Sequence, residues 1–103
     1  MIPYSAPIQD MRFVLNEVVG MDRITSLPGY ADATPDMVDA ILDEAGKLAS
    51  NVLAPINFSG DQEGAVLENG VVRTPKGFRE AYRQYQEGGW NSVPFDPEHG
   101  GQG

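Results

Sequence analysis

The sequence predicts a mainly α domain that carries one short β-hairpin. Three observations lead there. Apolar residues recur at helical steps of three and four in three separate stretches, near 8–19, 35–53 and 76–87. Pro stands near the starts of those stretches, and Gly or Pro near their stops. Between the second and third, one Asn-Gly dipeptide separates two β-rich tripeptides near 66–73.

The first helix carries its stripe on Ile8, Met11, Val14, Leu15, Val18 and Val19, with Pro7 at its start and Gly20 at its stop. From Met21 to Ala33 the periodicity dissolves into a loop, with Leu27-Pro28-Gly29 as a turn signal. Thr34-Pro35-Asp36 opens the second helix. Thr34 can accept from the free amides of the first turn, Pro35 lacks only an N–H that would go unused, and Asp36 and Asp39 favour the positive end of the helix dipole. Val38, Ile41, Leu42, Ala45, Leu48, Ala49 and Val52 form its stripe, and Asp43 with Lys47 forms a pair one turn apart. Gly46 costs about 1 kcal/mol against Ala inside a helix, so close approach of another backbone is expected there. Pro55 is expected to end this helix.

The tripeptides around Asn69-Gly70 read as a hairpin, because a type I′ turn needs positive φ at both central residues. Such a ribbon is marginal alone and is expected to pack on the helices. Thr74-Pro75 then opens the third helix, with Phe78, Ala81, Tyr82 and Tyr85 as its stripe and Gly88-Gly89 as its stop. Phe78, Tyr82 and Tyr85 are expected to pack on the second helix, with Trp90 folded back beside them. The last sixteen residues hold five Gly and two Pro and can be neither helix nor regular strand for long. Nothing in Gly100-Gly101-Gln102-Gly103 closes a core, so the end reads as a cut in a longer chain.

Composition narrows the function. Fifteen acidic and seven basic residues among 103 give a net charge of −8 and a pI near 4.3. That argues against nucleic acid as a partner, which needs clustered Lys and Arg. Residues 1–63 hold ten of the acids and three of the bases, so the acidity belongs to the first half and reads as a solvated face. The absence of cysteine excludes disulfides, thiolate zinc sites and a thiol nucleophile. No apolar run approaches the ~20 residues of a membrane span, and no secretory signal opens the chain; a cytoplasmic protein is expected.

Each chemical motif has a plainer reading. Gly100-Gly101-Gln102-Gly103 lacks the strand, wider glycine spacing and Lys of a phosphate cradle and reads as a turn. Asp61-Gln62-Glu63-Gly64 follows a calcium loop for three residues only. His99 has no second His, Cys or activated Ser to work with. Thr25-Ser26-Leu27 resembles the acyl carrier motif, but Thr25 stands where that family has Asp. Asn57-Phe58-Ser59 matches the glycosylation pattern without a secretory context. No catalytic, cofactor-binding or metal-binding residue is assigned from these residues.

A resemblance runs through almost the whole chain. Asn51-Val52-Leu53-Ala54-Pro55-Ile56-Asn57, Gly60-Asp61-Gln62-Glu63-Gly64, Gly77-Phe78-Arg79-Glu80-Ala81-Tyr82, Glu87-Gly88-Gly89-Trp90 and Pro97-Glu98-His99-Gly100-Gly101-Gln102-Gly103 resemble the amino-terminal region of acyl-CoA dehydrogenases. The opening Tyr4-Ser5-Ala6-Pro7-Ile8-Gln9-Asp10-Met11-Arg12-Phe13-Val14-Leu15 resembles the leader of the long bacterial branch of that family. The resemblance implies a leader helix in 1–20 and a helical amino-terminal domain in 21–103. It implies a flavoenzyme of fatty acid metabolism that uses FAD to desaturate an acyl-CoA thioester at Cα–Cβ. A glutamate base takes the α proton and FAD accepts the hydride. Those groups lie in the family's later domains, so no residue here inherits a catalytic role, and family members often have Tyr where His99 stands. The implied partners are the remaining domains of the same chain, the acyl-CoA substrate and further copies in a homo-oligomer. The alternative is a free-standing acidic helical protein-interaction module.

Overall fold

A computed structural model describes residues 3–103, and helix dominates it as expected. The chain falls into two compact units, one ending at Asn51 and the other beginning at Val52.

In the first unit, α1 (Ile8–Phe13) runs directly into a π-helical stretch, Val14–Val19. Gly20 stops it at φ +82°, donating its N–H to the Leu15 carbonyl at 2.9 Å. The expected loop from Met21 instead opens with a short helix, α2 (Met21–Thr25). Five residues are too few to show a period, and α2 is anchored by Met21, only 7 % exposed. The Leu27-Pro28-Gly29-Tyr30 turn closes with Tyr30 N–H on the Leu27 carbonyl at 3.1 Å. Gly29 takes φ +87° at the position where a type II turn requires it.

The helix α3 (Pro35–Leu48) starts as its sequence dictates: Thr34 is extended, and its hydroxyl accepts from the Met37 amide at 3.2 Å. A Cβ built on Gly46 would stand 3.4 Å from Ile8 Cδ1 and 3.7 Å from Ala6 Cβ. The leader therefore meets Gly46 with side chains, not with the expected backbone. After Leu48 the helix loosens into a π turn, Ala49–Leu53, which spans the division between the units. Pro55 does not end the helical run. It sits in the first turn of α4 (Ala54–Glu63), where its missing N–H is not needed.

In the second unit, Gly64 at φ +72° ends α4, and strands β1 (Val66–Glu68) and β2 (Val71–Arg73) pair antiparallel, with Glu68 opposite Val71 across the turn. Asn69 at φ +50° and Gly70 at φ +78° supply the two positive φ values that a type I′ turn demands. Gly77, at φ +92°, sets the start of α5 (Phe78–Glu87). The Phe78 ring lies over Gly60 of α4, where a Cβ would collide with it. The expected aromatic stripe is therefore only partly closed: Ala81 is 5 % exposed, but Phe78 is 37 % and Tyr82 58 % exposed. Tyr82 and Tyr85 stack on each other with ring centroids 6.1 Å apart. Trp90 lies in a short 3₁₀ turn (Trp90–Ser92), with its indole 2.8 Å from where a Gly88 Cβ would be.

Among the described residues, Met21 and Ala81 are the buried hydrophobic side chains. Apolar side chains left open include Met11, Val14 and Val18 on the leader and Phe58, Leu67, Val72 and Phe95 in the second unit.

Candidate functional site

The glycine-rich end is built as a strap, not as an anion cradle. A 3₁₀ turn, Pro97–His99, is capped by the Asp96 carboxylate, which accepts from the Glu98 amide at 2.8 Å. The chain then turns back on itself. Gly100 N–H donates to the Pro97 carbonyl at 3.0 Å, Gly101 N–H to Asp96 at 3.0 Å, Gln102 N–H to Ser92 at 3.1 Å and Gly103 N–H to Phe95 at 2.9 Å. A phosphate cradle needs those amides free and convergent, and here all four are committed. Gly101 is required for a steric reason, since a Cβ there would fall on the Phe95 carbonyl group. His99 is exposed at the end of its turn.

The other marked residues are also engaged locally. Glu63 accepts from the Lys76 amide at 3.0 Å, and Asp61 and Glu63 are two positions apart on α4, which points them away from a common ligand. Among the described residues, no group of three or more His, Asp or Glu is placed to hold a metal ion. Thr25 and Ser26 donate their hydroxyls to the carbonyls of Asp22 and Arg23, at 3.0 and 2.7 Å. Asn57-Phe58-Ser59 lies inside α4.

The charged side chains form ties rather than a pocket of chemistry. Arg12 reaches from α1 to α3, donating from Nη2 to Asp43 Oδ1 at 2.7 Å. Its Nε lies 3.2 Å from Asp39 Oδ1, an ion contact outside hydrogen-bond geometry, so that buried N–H has no acceptor. Asp43 is thus held by Arg12, and its expected partner Lys47 instead donates to Glu44 at 2.9 Å. That bond raises the Lys47 pKa above the ordinary lysine value. On α5, Arg83 bridges Glu80 and Glu87; its hydrogen bonds to Glu80 hold that carboxyl below the ordinary range and, with those to Glu87, push the guanidinium up. An open recess of about 370 Å³ lies between the leader (Ser5, Ala6, Ile8) and α3 near Gly46, continuing to Ser50 and Asn51. Its two charges, Asp43 and Lys47, are the ones already paired.

Three curated proteins match across most of this chain. It is 37 % identical over 97 % of its length to 3-methylmercaptopropionyl-CoA dehydrogenase of Ruegeria pomeroyi, covering 17 % of that protein at its amino-terminal end. The chain is similar to the amino-terminal part of acyl-CoA dehydrogenases. A broad-specificity linear acyl-CoA dehydrogenase of Mycobacterium tuberculosis is 28 % identical over 95 % of the chain, which covers 16 % of that protein. Butyryl-CoA dehydrogenase of Syntrophomonas wolfei is 32 % identical over 84 % of the chain, covering 15 % of that protein. No family model matches. The chain therefore spans about one-sixth of the length of the curated acyl-CoA dehydrogenases it matches.

Segment 100–103 spends its amides on carbonyls of its own chain, and four of the seven Lys and Arg side chains, Arg12, Lys47, Arg73 and Arg83, are each paired with a carboxylate. Sequence reasoning missed the Arg12 tie, for which no local pattern exists, and α2, whose only signal is the single i, i+3 pair Met21 and Ile24 after the Gly20 stop.

Proposed function

We propose that this chain is the helical amino-terminal domain of a FAD-dependent acyl-CoA dehydrogenase, covering one side of the substrate cavity and carrying no catalytic group itself. Residues 1–20 act as a leader helix and 21–103 as the domain proper. The α,β-dehydrogenation, the flavin site and the base belong to the remaining domains of a bacterial, cytoplasmic homo-oligomer. The observation that carries this reading is the surface left open: each unit displays large apolar side chains. The match to the amino-terminal part of a much longer relative supports reading those faces as contacts with the rest of such an enzyme. An interaction module would expose apolar faces too, so the alignment to much longer relatives is what favours the domain reading.

The test compares the chain alone with the same residues continuous with the later domains. Alone, the purified chain is expected to be colourless, to release no flavin on denaturation, and to leave a dye acceptor oxidised when acyl-CoA is added. In the longer protein the flavin is expected at one per chain, with dye reduction. Stoichiometric flavin in the chain alone would overturn the proposal.

A further inference from the structure

We draw no further inference here: the strongest candidate, the exposed Met11, Val14 and Val18 stripe along the leader helix, is an unpartnered apolar face, and nothing in the structure shows what covers it.

Discussion

Replacing Gly101 with Ala tests whether the terminal strap is held by sterics. The added methyl would fall on the Phe95 carbonyl, which is backbone and cannot swing aside as a side chain does. The strap must then lift, and three hydrogen bonds go with it: Gly101 to Asp96, Gln102 to Ser92 and Gly103 to Phe95. At about 0.5–1.5 kcal/mol each, the ceiling on the loss is roughly 1.5–4.5 kcal/mol, and most of it is offset by the freedom that residues 101–103 regain. The second unit is therefore expected to lose less than about 1.5 kcal/mol overall while the strap itself opens. The assay is two-dimensional NMR: contacts between Gly101 and Phe95 disappear, and the amides of 101–103 exchange at free-chain rates. Gly100→Ala is the control, because Gly100 has positive φ but no atom within 4 Å of its Cβ position. With no clash, its only cost is backbone strain of roughly 1 kcal/mol, below that bound, so the strap contacts are expected to persist at reduced population. Wild-type contacts and exchange in Gly101→Ala would refute the steric argument.

Gly46→Ala is expected to stabilise the first unit by up to about 1 kcal/mol, since the new methyl meets Ile8 at ordinary contact distance; denaturant unfolding reads the sign, and destabilisation would mean that Ile8 cannot accommodate it. A double-mutant cycle on Arg12→Gln and Asp43→Asn should return a coupling of roughly 0.2–1 kcal/mol, the range for a partly exposed pair; a coupling of zero would dismiss the tie. Arg83 holds Glu80 ionised below the ordinary glutamate value, so the folded pKa is depressed. The resulting stabilisation is present above the unfolded pKa of roughly 4.3 and is lost as pH falls through the lower folded value. Carboxyl titration by NMR should show Glu80 with a low midpoint that returns toward the ordinary value in Arg83→Gln.

What the sequence made legible was what is local. Thr34 caps three residues ahead, and Asn69-Gly70 closes a turn between adjacent strands, so each motif contains its own cause. Arg12 was opaque because its hydrogen-bonded partner Asp43 is 31 positions away, and every nearer pattern favoured a pairing of Asp43 with Lys47. The leader stripe was legible as apolar but not as divided. Ile8 and Leu15 are half-buried, whereas Met11, Val14 and Val18 stay exposed, a split that depends on where α3 lies. The glycines of 100–103 were read as a turn; their sequence does not encode that their amides bond back to Ser92, Phe95 and Asp96. The candidate chemistry was less legible still, because the resemblance to acyl-CoA dehydrogenases rests on order and spacing of motifs, whereas each motif alone has a structural use.

The two π stretches, Val14–Val19 and Ala49–Leu53, change how this chain should be laid against its relatives. A π turn closes its hydrogen bonds over five residues where an α turn uses four, so each stretch behaves as one surplus residue stored within a helix. Relatives lacking that residue can keep every flanking contact by reverting to α geometry at the same place. In the leader the surplus falls just before Gly20, and in the second case just before Pro55. The lengths of helix on either side can then drift by one residue during evolution without turning Ile8, Gly46 or Gly60 away from the neighbours they now meet.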